Sequence, residues 1–260
     1  MKKIILTIAT IALGTIAVAQ SNTELKRYQA PEARQAVAAD QDHFYVVDNA
    51  QIVKRQKTDG AEVSRWNEEG LHHMNSAVIK DGKLYCAHSN YPEIPMHSSI
   101  EIFDPKTMQH IDSHSFGIEN GSCTWIDFHE GHYYVMFAHY ANEGKMQTNR
   151  DVSWTQLVKY DTEWRRLEGW VLPQALVERV TPYSISGGIF MENGKILATH
   201  HHHEELYILS FPKMGSELVW EKTIPSPIRG QGIAFDESDP TILWGINKKT
   251  REVIKTKINW

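Results

Sequence analysis

A hairpin pattern repeats five times along the chain, and this repeat constrains the fold more than any other feature. It is clearest in residues 71–104, where an apolar run over 76–79, the turn KDGK at 80–83 and a second run over 84–87 follow one another. Two such runs joined by a turn that carries Asp-Gly are typical of a β-hairpin. Both outer ends of a hairpin lie on the same side, so polar residues that enter the first strand and leave the second are expected to be neighbours.

Related hairpins occur at residues 36–48, 124–139, 186–200 and 231–247. Each is followed by a third run and, in the first four units, by a fourth. Units of four short strands at a spacing of about 40–50 residues are typical of propeller blades. The fifth unit has no fourth run because the chain ends at Trp260, and the segment 23–28 can supply it.

The sequence therefore predicts an all-β fold, a five-bladed β-propeller closed by an N-terminal outer strand. A sandwich or jelly roll is the alternative, because it also contains short alternating strands. Helical spacing is evident only at residues 173–180, between units three and four.

The first 19 residues have the pattern of a secretory signal peptide. Two lysines precede an apolar run over residues 4–18, and the small-residue site Ala-Val-Ala ends at Ala19. We expect cleavage near Ala19, which leaves residues 20–260 as a single propeller domain in the periplasm or outside the cell. No later apolar stretch approaches the roughly 18 residues needed to cross a bilayer, so no membrane span is expected after removal of the signal.

Charge and cysteine content restrict the partners and the covalent structure. The formal net charge is −5 and no basic cluster is evident along the sequence, which argues against nucleic acid as a partner. Cys86 and Cys123 can pair after export, but Cys86 lies in a predicted strand, which favours burial as a small apolar residue. We expect a monomer that binds a small molecule or a glycan.

The 14 histidines are unevenly distributed over the predicted propeller. Links into the innermost strands, and loops between second and third strands, open on the same face around the central channel. Nine histidines fall on that face: His72, His73, His88, His97, His139, His200, His201, His202 and His203. Imidazoles that converge from several blades can bind a transition metal or act as general acids and bases.

This placement gives three sets of candidate site residues. The catalytic candidates are His88, His139, His73 and Asn75. The candidate ligands for zinc, manganese or calcium are His88, His139 and His200. The candidates for substrate binding are Arg34, Asn90, Tyr91, Ser186, Arg229 and Gln231. For His88 and His139, a structural hydrogen bond at a blade junction is the alternative.

Four segments carry a resemblance to a known group of proteins: residues 72–104, GSCTWID at 121–127, PYSISGG at 182–188 and GQGIAFD at 230–236. They resemble a family of small exported bacterial five-bladed propellers, some of which are described as cycloisomerase-like. The resemblance covers nearly all of residues 20–260 and implies the fold and the export route, but no catalytic residue. The five-blade plan is also similar to that of plant-type glutaminyl cyclases and arabinan-active glycosidases.

The catalytic residues of those two more distant groups are not found in this sequence. The glutamate motif of the cyclases is not recognisable, and a glycosidase needs two separated carboxylates, of which Asp127 is a single candidate. HExxH, GxSxG and P-loop motifs are also absent from the sequence.

The function is therefore inferred from the crowding of titratable groups at one pole of the propeller. The leading hypothesis is an exported enzyme that acts on a small polar, carbohydrate-derived substrate by hydrolysis, elimination or cyclisation, with a divalent metal as an optional cofactor. The alternative is a non-catalytic propeller that binds a glycan or a protein through the same mouth. A scaffold that uses the blade sides would need a large exposed apolar patch, which the sequence does not indicate.

Overall fold

The computed structural model describes residues 21–259. Their strands form five four-stranded antiparallel sheets, which surround a common axis as the blades of a propeller. This confirms the predicted fold class. The predicted signal peptide, residues 1–19, lies outside the described residues.

The described part of the chain begins with β1 (Ser21–Gln29), which joins the last blade, and then forms four consecutive blades, whose strands are given from the channel outward. The first blade contains β2 (Ala36–Ala39), β3 (His43–Asp48), β4 (Gln51–Gln56) and β5 (Glu62–Trp66). The second contains β6 (Met74–Lys80), β7 (Lys83–Ser89), β8 (Ser98–Asp104) and β9 (Gln109–Gly117). The third contains β10 (Ser122–His129), β11 (His132–Ala138), β12 (Gln156–Tyr160) and β13 (Arg166–Val171). The fourth contains β14 (Ile185–Phe190), β15 (Ile196–His200), β16 (Glu205–Ser210) and β17 (Val219–Pro225).

The fifth blade joins the two ends of the described chain. It contains β18 (Ala234–Asp236), β19 (Asp239–Asn247) and β20 (Glu252–Asn259). Strand β1 pairs with β20 as the outermost strand, in antiparallel register from Ser21 opposite Asn259 to Gln29 opposite Glu252. The predicted closure by an N-terminal strand is confirmed.

The helical segments are short. The predicted helix between the third and fourth units is α1 (Gln174–Val180), and a 3-10 helix, Val152–Trp154, lies in the long loop of the third blade. Within residues 21–259, no helix is both long and apolar enough to cross a membrane.

Five large apolar clusters form most of the core, and each fills the space between two neighbouring blades. A sixth, smaller cluster contains Met96, Ala138 and Tyr140. Because both faces of a blade are covered, the inner strands are apolar along their length instead of alternating. Trp125 is fully buried between the third and fourth blades. It leaves no room at Gly188, where an added Cβ would lie 2.5 Å from the Trp125 ring, so the blades approach closely because a glycine is present.

Both cysteines belong to this core. Cys86 and Cys123 are buried and unpaired. Burial raises the pKa of each thiol, because a thiolate is poorly solvated in an apolar environment. The prediction of burial as small apolar residues is confirmed.

Candidate functional site

A cavity of about 530 Å³ lies at one entrance of the central channel, and we call it the basic mouth. Six of its lining residues are cations: Arg34, Lys145, Arg229, Lys248, Lys249 and Arg251. Five lining residues carry imidazole or phenol rings: His73, Tyr91, Tyr183, His201 and His202. Gln35 and Gln231 contribute side-chain amides. These residues come from the links and loops that the sequence placed on the channel face.

Among the described residues that line the basic mouth, none is acidic. Two carboxylates outside the lining reach its cations: the buried Asp48 is 3.4 Å from Arg34, and the exposed Glu204 is 4.0 Å from Arg229. Lys248 forms no ion pair within the described range 21–259. A concave surface lined by cations concentrates anions, because its low-dielectric walls focus the field.

Pairing between two backbone segments places Arg229 beside Lys248. The link into β18 runs parallel to the end of β19, where Arg229 forms a bridge with Asn247 and donates its backbone N–H to the Ile246 carbonyl at 2.9 Å. The Asn247 side chain then accepts the backbone N–H of Lys249 at 3.1 Å and turns the chain. Lys248 is thereby held in the loop next to Arg229.

His200 shapes the histidine run that follows β15. Its Nδ1 accepts the backbone N–H groups of His202 and His203, each at 2.9 Å, while Nε2 donates to the Val180 carbonyl at 3.3 Å. These bonds turn the run at its start. As a consequence, His201 and His202 line the basic mouth while His200 itself is buried.

Lys248 contacts an imidazole inside the basic mouth. Its Nζ lies 3.1 Å from Nδ1 and 3.0 Å from Nε2 of His201, and the His201 ring also stacks on Tyr183 with ring centroids 4.5 Å apart. Burial, followed by the charge of Lys248, lowers the pKa of His201 to about 2. Burial, followed by the charge of Arg229, lowers the pKa of Lys248 to about 8. Near neutral pH the imidazole is therefore uncharged, and part of the amine population is uncharged as well.

His73 and Tyr91 form the opposite wall of the basic mouth. Their ring centroids are 4.8 Å apart, and the Lys145 ammonium lies 5.0 Å from the centroid of the Tyr91 ring. Burial lowers the pKa of His73 to about 4, although a hydrogen bond with Asn75 acts in the opposite direction. His73 is thus a neutral, half-buried imidazole that lines the cavity.

The hydrogen bonds of His88 occupy both of its ring nitrogens. Nε2 accepts the backbone N–H of His72 at 3.3 Å, which leaves Nδ1 to donate to Ser99 Oγ at 3.0 Å. Ser99 in turn donates to the buried carboxylate of Glu101 at 2.5 Å, and Glu101 also contacts His110 at 2.8 Å. Burial lowers the pKa of His88 to about 4.

His139 is buried in the corresponding place of the third blade. Its Nε2 donates to the Asn120 carbonyl at 3.2 Å, whereas its Nδ1 is buried without a hydrogen-bond partner. Burial lowers the pKa of His139 to about 4. Each blade has such a polar residue at the end of its second strand, and each of these residues is buried: Asp48, His88, His139, His200 and Asn247.

The structure brings part of the predicted site together. Five predicted residues line the basic mouth: Arg34, His73, Tyr91, Arg229 and Gln231. Six others do not line it: Asn75, His88, Asn90, His139, Ser186 and His200. Over residues 21–259, no group of three or more His, Cys, Asp or Glu side chains is arranged to hold a metal ion. The catalytic roles of His88 and His139, and metal binding by these two residues and His200, stay predictions.

Two of the residues outside the cavity lining form hydrogen bonds elsewhere, Asn75 with the neighbouring third blade and Asn90 within its own loop. The Asn75 amide donates to the Cys123 carbonyl at 2.6 Å. The Asn90 side chain donates to the Pro95 carbonyl at 3.1 Å and accepts the backbone N–H of His97 at 2.9 Å. These bonds fix the backbone around the channel face.

Sequence reasoning missed most of the cations of the basic mouth. Lys145, Lys248, Lys249 and Arg251 were not candidates, because cations were considered only on the links into the innermost strands, as for Arg34 and Arg229, and not in the loops between second and third strands. The segment NKKTR at 247–251 was the available signal, since it has three basic residues in a loop that the repeat places on the channel face.

The other end of the channel has a different lining, and we call it the opposite opening. It is a cavity of about 320 Å³ with many apolar residues and four acidic ones: Asp127, Glu192, Asp236 and Glu237. Burial raises the pKa of Asp127 to about 7, although its carboxylate accepts the Phe190 backbone N–H at 2.6 Å. Burial also acts to raise the pKa of Asp236. Hydrogen bonds to its carboxylate, the strongest of them from Lys57, have the larger effect and lower the pKa to about 2.

Comparisons with known proteins agree with the fold. No family model matches the chain, and no curated protein matches it in sequence. Among solved structures, a luciferin-regenerating enzyme is similar with 10% identity and a TM-score of 0.53, over 93% of this chain and 96% of the other. A chain of a mitotic checkpoint complex (10% identity, TM-score 0.47, 99% of both chains) and one of Kuenenia stuttgartiensis hydrazine synthase (10% identity, TM-score 0.48, 83% and 68%) also match. At this identity, the likeness to the luciferin-regenerating enzyme is one of fold.

Proposed function

We propose that this protein is an exported propeller enzyme that binds a small polar organic anion, such as an acidic sugar derivative, in the basic mouth. One observation carries the proposal: six cationic side chains, and no carboxylate among the described lining residues, surround a cavity of about 530 Å³. That volume lies within the range of roughly 300–1,000 Å³ that is typical of small-molecule sites.

The lining suggests how such a ligand is held. Arg229 and Lys248 lie side by side, and the guanidinium of Arg229 can donate two parallel hydrogen bonds to a carboxylate or phosphate. Gln35 and Gln231 supply amides that suit hydroxyl groups. The Tyr183 ring supplies an aromatic face for the less polar side of the ligand.

The residues that line the basic mouth suit elimination or isomerisation better than glycoside hydrolysis. Glycoside hydrolysis uses two carboxylic groups, and none lines the basic mouth within the part of the chain that the structure describes. Cations that hold a ligand carboxylate also stabilise the negative charge that develops when a proton leaves the adjacent carbon. Elimination and isomerisation begin with such a proton transfer, so these reactions fit the site better than hydrolysis.

Calorimetric titration with galacturonate and galactose tests the proposal, since these ligands differ mainly in the carboxylate. We expect galacturonate to bind at least about tenfold more tightly, because a hydrogen bond to a charged group contributes about 1.5–3 kcal/mol. Arg229→Gln should lower the galacturonate affinity about 10- to 100-fold, on the same grounds. The control Lys213→Gln changes an exposed lysine outside the cavity and should have no effect. Equal affinities for the acid and the neutral sugar would contradict the proposal, as would an unchanged affinity in Arg229→Gln.

A further inference from the structure

Two lysines of the basic mouth have opposite surroundings. Lys145 lies over the ring of Tyr91, whose hydrogen bond raises the pKa of the ammonium. Lys248 instead faces the Arg229 cation and the uncharged ring of His201, and its pKa is lowered to about 8. The site therefore stabilises the charged form of one lysine and the uncharged form of the other.

The contacts of Lys248 are those of a reactive amine. It is half-buried at the wall of the cavity and forms no ion pair with any of residues 21–259. A carboxylate partner would hold the amine in its charged form, whereas a neighbouring cation and a dry environment release its proton. An uncharged lysine amine is a nucleophile toward carbonyl carbon.

We propose that Lys248 forms an iminium with ligands that carry both an anionic group and an aldehyde or ketone, and that anionic carbonyl compounds are the substrate class of this site. The inference rests on the proposed function, because the cations of the basic mouth hold the anionic group. Arg229, which lies beside Lys248, places the carbonyl carbon of such a ligand within reach of Nζ.

The bonds and protons of this step balance without a further reactant. The Nζ lone pair attacks the carbonyl carbon, a C–N bond forms, and the C=O π electrons move to oxygen. A proton then passes from nitrogen to that oxygen, which gives a carbinolamine. Loss of the hydroxyl group with one proton from solvent breaks the C–O bond, releases water and leaves the cationic iminium.

An iminium suits the chemistry proposed for the site. It withdraws electrons from the adjacent carbon, so that a proton on that carbon is removed more easily than beside the parent carbonyl. His73, whose pKa of about 4 lies above the value of about 2 for His201, lines the same cavity as a neutral imidazole and can accept that proton. The amine thus adds an electron sink to the electrostatic stabilisation that the cations provide.

Borohydride trapping with pyridoxal 5′-phosphate tests the inference, because this probe combines a phosphate with an aldehyde. The purified protein is incubated with the probe, reduced, digested and analysed by mass spectrometry. We expect one predominant adduct, on Lys248, that excess galacturonate suppresses. Lys248→Arg keeps a positive charge at this half-buried position and should lose at least about 90% of the adduct, while the melting temperature changes by less than about 4 °C. The matched variant Lys145→Arg should retain it.

Pyridoxine 5′-phosphate, which lacks the carbonyl, separates this inference from the proposed function. If it binds in competition with galacturonate but the aldehyde leaves Lys248 unlabelled, the iminium is ruled out and the anion site stands. Labelling spread evenly over many lysines also rules out the iminium. If neither pyridoxine 5′-phosphate nor galacturonate binds, the proposed function itself fails.

Discussion

The two openings of the central channel carry charges of opposite sign. The basic mouth is lined by six cations, whereas the opposite opening contains four acidic residues among apolar ones. The formal net charge of −5 does not reveal this separation of charge, because it adds the charged residues of both openings together. An anion that approaches the propeller is therefore attracted to one end of the channel and repelled from the other.

The openings also differ in how their charges are compensated. At the opposite opening, Asp236 pairs with Lys57 at 2.8 Å and accepts the indole N–H of Trp244 at 2.8 Å. At the basic mouth, Lys248 has a neutral imidazole as its partner. A charge that is paired within the protein supports the fold, and an unpaired charge is available to a ligand. The following predictions test this division between stability and binding.

The largest effect is expected from Asp236→Ala at the opposite opening. The substitution leaves Lys57, which is largely buried, without its partner, and loss of one member of a buried ion pair typically costs about 3–5 kcal/mol. Denaturant unfolding measures this loss, and calorimetry should show unchanged galacturonate affinity. Asp42→Ala, at an exposed turn position, is the control and should change the free energy of unfolding by less than about 0.5 kcal/mol. A loss of stability in Asp236→Ala no larger than in this control would contradict the division.

Asp127→Asn should increase stability at neutral and alkaline pH. The pKa of Asp127 is about 7 in the fold, against 3.8 ordinarily, so the unfolded chain releases this proton at lower pH than the folded chain does. The native protein therefore loses stability as the pH rises from about 4 to 7, by at most about 4 kcal/mol, and the loss is constant above that range. Unfolding measured from pH 4 to 9 should show that Asn removes this slope. The exposed control Asp81→Asn should keep it, and a slope unchanged by Asp127→Asn would refute the assignment.

Ser99→Ala should destabilise the protein by about 1–3 kcal/mol, since it leaves the Nδ1–H of His88 without an acceptor and removes one of the donors to the buried Glu101 carboxylate, which keeps its contacts with His110 and Ser113. Galacturonate affinity should not change, because neither side chain lines the basic mouth. This result separates the buried blade-end histidines from the histidines of the cavity. Ser115→Ala, at an exposed position of the same blade, provides the control. A strong loss of ligand affinity in Ser99→Ala would show that the two groups of histidines act together.

The smallest effect is expected from Lys249→Gln at the rim of the basic mouth. Lys249 is exposed, so its contribution is screened by solvent and salt. We expect galacturonate affinity to fall about two- to threefold at low ionic strength, which corresponds to less than about 1 kcal/mol, and less in 0.5 M salt. Calorimetry at two salt concentrations measures this difference. An effect as large as that of Arg229→Gln would mean that the rim, and not the interior, selects the anion.

The blades could be predicted because each one is specified by sequence patterns within a single stretch of about 40–50 residues. Apolar runs at a regular spacing, with an Asp-Gly or Asn-Gly turn in the second and fourth units, indicate the blades, and the missing outer strand of the last unit identified β1 as the closing strand. The face on which the loops gather follows from this topology. Five of the residues that line the basic mouth were predicted in this way.

The chemical roles of the histidines could not be predicted because they depend on contacts between distant segments. His88, His139 and His200 recur with the blade period, yet their nitrogens bond to loop backbone and to Ser99, which no spacing reveals. The basic mouth likewise gathers Lys145, Lys248 and other cations from different blades. Apart from the short segment NKKTR at 247–251, these cations are dispersed along the sequence, so the cluster forms only on folding.

A crystal structure of the protein bound to galacturonate tests the central claim most directly. We predict the ligand in the basic mouth, with its carboxylate within hydrogen-bonding distance of Arg229 and its hydroxyl groups toward Gln35 and Gln231. Galacturonate bound at the opposite opening or on the side of a blade would contradict this prediction, as would a ligand in the basic mouth whose carboxylate points away from Arg229.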